Sequence, residues 1–179
     1  MTEKIVPYTT LRPSIQTGDC ILWQGSGLIS RAIRLWSKYS HASLVVRFHD
    51  KALAERVYLI EALTHGLKLT ALSERSKGYG GRVFHLSVPL SHAQRTIILA
   101  DALHKCAITK GYDYSGLFLN ILGRINHDAK NYICSEFVWD EMLLSGYVRP
   151  RKKTPRPGDL PEWLGGEITQ FKHEDEPCQ

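Results

Sequence analysis

An α+β fold is predicted for this chain of 179 residues. Three observations predict it. Strand-like patterns crowd the middle of the sequence. Helical patterns lie before and after them. Strand and helix do not alternate as βαβ units require. The length suits one hydrophobic core, and no internal repeat or low-complexity tract divides it. The expected organisation is an N-terminal arm over 1–16, a single domain over 17–172 and a flexible acidic tail over 173–179.

The elements follow in order. Gly18-Asp19 punctuates the leader, and Cys20-Ile21-Leu22-Trp23 reads as a short apolar strand. After Gly25-Ser26-Gly27, apolar residues recur at helical spacing, which predicts a helix over 28–37. Strands are expected over 42–48 and 57–62, where β-branched and aromatic residues concentrate. Alternation predicts two more, over 66–72 and 82–88, with a glycine-rich turn at 78–81 between them. Ser91 with Gln94 forms a capping box, so a helix runs from there to about 110. Further helices are expected over 116–122 and 134–145, the last stopped by Gly146. A turn-rich connection follows.

Composition excludes several classes. The net charge of +5 is a mild excess that does not indicate nucleic acid. Part of it is local, in Arg149, Arg151, Lys152, Lys153 and Arg156. A solvated loop is the plain reading of that cluster; a phosphate or headgroup contact is the other. The four cysteines are widely spaced, with no C-x-x-C pair, so neither a zinc ribbon nor a thioredoxin motif is present. The first residues carry no apolar signal region, and no apolar run approaches the roughly 20 residues that span a bilayer. The expected compartment is the cytoplasm, with thiols reduced and export by another route left open. No H-E-x-x-H, GxxxxGK[ST] or G-x-S-x-G motif occurs, and neither metal nor cofactor is expected.

Thiol chemistry fits best. A thiolate attacks where a thiol does not, and a helix start or an imidazolium lowers the thiol pKa. Cys134 opens the predicted helix over 134–145, where the macrodipole favours negative charge. Glu136 reads as the acidic residue of that helix start. Spacing alone also allows Cys134 to be a small buried hydrophobe. Among eight histidines, His41 opens a predicted strand, so its backbone would be fixed by the sheet. His49 and His127 fall in polar loops. Glu61 interrupts the apolar run 58–63, where an unpaired carboxylate is costly. His41 is its expected partner, orienting the imidazole as the third member of a triad does. A solvent-facing Glu61 is the alternative, with Asp113 and Asn131 as weaker candidates for the place.

Gly18-Asp19, Ser40-His41-Ala42-Ser43, Glu61, Tyr112-Asp113-Tyr114 and Tyr132-Ile133-Cys134-Ser135-Glu136-Phe137-Val138 occur in that order. This series resembles the circularly permuted branch of NlpC-type papain-like cysteine hydrolases, the YiiX/YaeF-like group. It is similar more distantly to lecithin:retinol acyltransferase-like proteins. His41 precedes Cys134, which is the permuted order, and the resemblance covers roughly 17–165. It implies a papain-like fold, an antiparallel sheet or small barrel packed against helices. It also implies Cys134 as nucleophile, His41 as base and Glu61 as third polar residue. The Cys134 backbone N–H is a candidate oxyanion donor. Tyr39, Tyr114 and Ser135 are candidate oxyanion or pocket residues.

The function expected is hydrolysis of an amide or ester, an amidase or peptidase reaction through a thioester. The substrate would be a peptide, a cell-wall fragment or a lipid-like molecule. A lipid amidase or acyltransferase on the same scaffold is the first rival. The helix over 28–37 carries Trp36 beside Arg31, Arg34 and Lys38, a combination suited to a membrane interface. An ordinary packed helix with a basic outer face is the preferred reading of it. A non-catalytic binding module and, last, a nucleic-acid binder are the other rivals.

Overall fold

A computed structural model of the chain describes residues 5–48, 56–63, 66–108 and 129–173. Among them seven strands form one sheet. They are β1 (Val6–Pro7), β2 (Cys20–Gln24), β3 (His41–Arg47), β4 (Val57–Leu63), β5 (Gly66–Ala71), β6 (Arg82–Ser87) and β7 (Glu167–Lys172). Their order across the sheet is β1-β7-β6-β2-β3-β4-β5. Only the β1–β7 pair is parallel. The helices are α1 (Tyr8–Leu11), α2 (Leu28–Ile33), α3 (Leu72–Ser76), α4 (His92–Ile108), α5 (Ala129–Leu144) and α6 (Leu160–Leu164).

Both faces of the central sheet are covered. On one face Leu22, Leu44, Ile60 and Leu86 pack against Ile98 and Ala102 of α4 and Val138 and Met142 of α5. On the other, Ile21, Trp23, Val45 and Leu59 meet Leu11, Ile15 and Leu72. This explains why β2 and the interior of β3 are apolar without alternation: neither side meets water. Each such side chain taken fully from solvent contributes about 1.5–3 kcal/mol.

The five expected strands, β2 to β6, stand where the patterning put them, to within a residue or two. The capping box is present, with Gln94 N–H donating to Ser91 Oγ at 3.3 Å and Ser91 N–H to Gln94 Oε1 at 2.9 Å. The buried face of α4 is Ile98, Ala102 and Cys106, and Ile97 is exposed. Gly146 ends α5 with φ 72°, and the Tyr147 N–H returns to the Met142 carbonyl at 3.0 Å. That is a left-handed cap, which glycine takes without steric cost.

Four expectations change. The stretch read as an arm over 1–16 contributes, from residue 5 on, strand β1 and the core side chains of Tyr8, Leu11 and Ile15. Strand β7 and helix α6 lie in what read as connection and tail margin. In β7 only Phe171 is buried, so polar residues hide the strand pattern. Helix α2 ends at Ile33, short of 37, with hydrogen-bonded turns after it. None of the described side chains of α2 is buried, and a helix this short lacks the packing that usually sustains one. Helix α5 begins at Ala129, five residues before the expected start. No Gly or Pro interrupts 129–133, so nothing in the chain forces a later start. The helix expected over 116–122 lies outside the described residues, as does most of the tail.

Candidate active site

The site grows from a fork in the sheet. Strands β3 and β4 pair from Arg47↔Val57 to Leu44↔Ile60, while β4 and β5 stay paired to Leu63↔Gly66. The register therefore leaves His41–Ser43 and Glu61–Leu63 outside the β3–β4 ladder. Alternation puts His41 and Ser43 on one face of β3. Glu61 stands opposite Ser43 and turns to the same side.

A polar chain fills this fork. Trp23 Nε1–H donates to Ser43 Oγ at 2.7 Å, and Ser43 Oγ–H to Glu61 Oε1 at 2.9 Å. The same carboxylate oxygen stands 3.0 Å from His41 Nε2. Arg75, from the last turn of α3, donates Nε–H to Glu61 Oε2 at 3.2 Å. Its guanidinium lies 4.4 Å from the Trp23 ring centroid and 5.4 Å from that of Tyr79. Glu61 is 1% exposed, so these partners are what make a buried carboxylate tolerable. Burial pushes its pKa up, but hydrogen bonding and charge from His41, then Arg75 and Ser43, hold it below the usual carboxylate range.

Helix α5 packs across β3 and β4 and brings Cys134 to the start of β3. Cys134 and His41 share a side-chain hydrogen bond. Since Nε2 faces Glu61, Nδ1 is the ring nitrogen left for the sulfur. Burial works against charge on both partners. For His41 the Cys134 thiolate and the Glu61 carboxylate outweigh it and raise the pKa to about 9. For Cys134 the imidazolium and backbone hydrogen bonds of Ala42 and Ser135 outweigh it and lower the pKa. Cys20 shows the contrast: equally buried but without a cation, its thiol is pushed up by desolvation and by the Asp19 charge.

Two expectations about the thiol change with the earlier helix start. Cys134 is the sixth residue of α5, past the first turn in which the macrodipole acts. The neighbouring imidazolium, not the helix end, lowers its pKa. Nor does its N–H stand free as an oxyanion donor, because at this depth an α-helix bonds it to the carbonyl four residues back. Glu136 is likewise not in the first turn; it is exposed, and burial of its surroundings and the nearby Asp140 raise its pKa.

The remaining candidates fall in different places. Tyr39 is buried in the core, its ring edge-on to Phe84 with centroids 5.2 Å apart. Ser135 is buried, and its hydroxyl donates to the Pro155 carbonyl at 2.6 Å, tying α5 to the connection after it. Tyr114, Asp113, His49, His127 and the side chain of Asn131 lie outside the described residues. Sequence reasoning missed Ser43, Trp23 and Arg75. Ser43 carried a signal: a hydroxyl two residues from His41 inside an apolar strand needs a partner.

Two further buried networks stand apart. Asp19, with no exposure, accepts from the Gln16 N–H at 2.9 Å, the Val88 N–H at 3.2 Å and Arg95 Nη1 at 3.2 Å. His85 Nε2 is 2.8 Å from Asp19 Oδ2, the oxygen that also accepts from Gln16. Between α4 and α5, Lys105 Nζ lies 2.8 Å from Glu141 Oε1 and 2.7 Å from Asp101 Oδ2. Among the described residues no helix is long and apolar enough to cross a membrane.

No family model and no curated protein matches the chain. Among solved structures it is similar to YiiX from Escherichia coli O157:H7, a protein described as a metalloprotein and as DUF1105. The identity is 26% and the TM-score 0.50, over 71% of this chain. The match spans 64% of that neighbour's length. The seven-stranded sheet packed against helices is thus a YiiX-like, mixed α+β architecture.

Proposed function

We propose that this chain is a thiol hydrolase of permuted NlpC type, cleaving an amide or ester through Cys134, His41 and Glu61. The observation that carries the reading is His41 held between the thiol on one ring nitrogen and a buried carboxylate on the other. A nucleophile, a base and a group that orients the base are what covalent acyl transfer requires. Chain order supports the permuted assignment, since His41 and Glu61 both precede Cys134.

The Cys134 thiolate attacks the carbonyl carbon, and the electron pair of the C=O moves to oxygen. The backbone amide of Ala42, which already bonds the sulfur from strand β3, is a donor for that charge. The tetrahedral species collapses as the bond to the leaving nitrogen or oxygen breaks, and His41 Nδ1–H protonates the leaving group. Water then gives a proton to His41 and attacks the thioester, releasing the acid and restoring the thiolate. Glu61 stays ionised and keeps Nε2 protonated, so that Nδ1 is the nitrogen that cycles.

The neighbour's description as a metalloprotein raises the question of metal here. Among the described residues no three His, Cys, Asp or Glu side chains converge on one point. The His41–Glu61 pair is already joined with the Arg75 cation on its carboxylate, and the His85–Asp19 pair is likewise joined with Arg95 on Asp19. These residues do not fit a metal ion.

The test is to incubate the protein with p-nitrophenyl esters and peptide amides and look for the acyl-enzyme by intact mass. Cys134→Ala should abolish both adduct and turnover while the thermal melt is unchanged. Turnover that survives in Cys134→Ala would end the proposal and leave a binding module as the better reading.

A further inference from the structure

The segment from α2 to β3 exposes large apolar side chains beside cations. Leu28 is 83% exposed, Leu35 79% and Trp36 71%. Arg31, Arg34 and Lys38 are exposed among them. The packed helix preferred from the sequence is therefore not what forms. Three large apolar groups in water on one short segment are unusual where the sheet beneath is fully covered.

The segment is nevertheless firmly anchored. Gln24 Nε2–H donates to the Lys38 carbonyl at 3.0 Å, and Ser40 N–H to the Trp23 carbonyl at 2.8 Å. The Gly158 N–H donates to Ser37 Oγ at 2.9 Å, and Arg156 Nη1 to the Trp36 carbonyl at 3.2 Å. The last two bonds bring the basic connection, with Arg149, Lys152 and Lys153 exposed, alongside the apolar tip. That connection is also tied to Ser135, the neighbour of Cys134. The patch is thus tied through the connection to the helix that carries the thiol, and His41 begins the strand that leaves it.

We propose that this patch docks on an anionic phospholipid bilayer, Leu28, Leu35 and Trp36 entering the headgroup boundary while Arg31, Arg34, Lys38 and the 149–156 cluster face the anionic surface. Apolar groups with Trp on one side and cations around them are the pattern of an interfacial element. Juxtamembrane cations add electrostatic attraction to it. A second copy of the chain fits less well, because a two-fold contact through this patch would set the same cations against each other. Docking is separate from the thiol chemistry and is expected in Cys134→Ala as well.

The test is flotation of the full chain with vesicles of phosphatidylcholine alone or mixed with an equal part of phosphatidylglycerol. The protein should float with the mixed vesicles, fail to float with phosphatidylcholine, and release as salt is raised. Arg31→Glu with Arg34→Glu should weaken partitioning by roughly fivefold per charge. Leu35→Ser with Trp36→Ser should abolish it, with the thermal melt preserved, since both side chains are in solvent. Failure of the wild type to float, or flotation unchanged in both variants, overturns the proposal. So does a concentration-dependent dimer that does not float and that Trp36→Ser dissociates, which would make a second copy the occupant.

Discussion

His41 Nε2 stands 3.0 Å from Oε1 of Glu61, a carboxylate almost wholly out of water and also held by Ser43 and Arg75. The pair fixes which imidazole nitrogen faces Cys134 and how long that imidazole keeps its charge. His41 is raised above its ordinary 6.5 to about 9, against burial, by the thiolate and Glu61. A group raised on folding stabilises fully below its unfolded value and loses that contribution as pH rises through the folded one. The His41 contribution is therefore present below 6.5 and gone above about 9. Turnover should follow a bell whose alkaline limb lies near 9 in the wild type. In Glu61→Gln the limb should move to lower pH, and stability should fall by about 3 kcal/mol as a buried pair is broken. A pH–rate profile and urea unfolding of both proteins check this; an unmoved limb would mean that Glu61 does not act on His41.

Cysteine reactivity separates the three described thiols. Cys134 is lowered by its imidazolium, whereas Cys20 is buried and raised by desolvation and Asp19. Iodoacetamide should alkylate Cys134 rapidly at and below neutral pH and leave Cys20 unmodified in the folded protein. In His41→Ala the low-pH reaction should vanish, because burial then outweighs the backbone hydrogen bonds of Ala42 and Ser135. Peptide mass spectrometry at several pH values reads this directly. Equal rates at Cys134 and Cys20 would contradict the ion pair.

Much of this site was legible in the chain. A histidine opening an apolar strand, a carboxylate inside another and a cysteine at an expected helix start are each local signals. What joins them is the order β2-β3-β4 in the sheet, and their pairing follows from it. Arg75 was not legible: it lies in a short polar helix after β5, and only the chain's return past Trp23 gives it a role. Helix α5 was mis-started because the residues before Cys134 read as loop, whereas the helix already begins at Ala129. Strand β7 was hidden because one face of it meets water and its partner β1 supplies only two residues.

Asp19 is the test of the structural networks. It anchors the Gln16 and Val88 N–H groups, Arg95 and His85 without touching the thiol site. Arg95 in turn donates to the Thr17 and Val88 carbonyls. Asp19→Asn puts a donor where cations and amides need an acceptor, leaving Arg95 partly unpaired in the interior. The expected loss is about 3–5 kcal/mol, or roughly 10 °C in melting temperature for a chain of this size. The rate of Cys134 alkylation under folding conditions should hold. A melt within a degree or two of wild type would show that Asn is accommodated.

Glu141 gives a prediction of opposite sign. It is fully buried on α5, and desolvation pushes its pKa up to about 7, with Asp101 adding to the rise and Lys105 opposing it. The folded protein thus holds a proton that the unfolded chain releases near 4.5. Where the folded state binds more protons, stability falls as pH rises, here between 4.5 and about 7. Glu141→Gln keeps the size and the hydrogen bonding of the protonated acid and cannot ionise. It should flatten that slope and leave the variant more stable than wild type above 7, by about 1–3 kcal/mol. Urea unfolding across this range decides it. Parallel curves for the two proteins would mean that Lys105 keeps Glu141 ionised and that the buried pair is a true ion pair throughout.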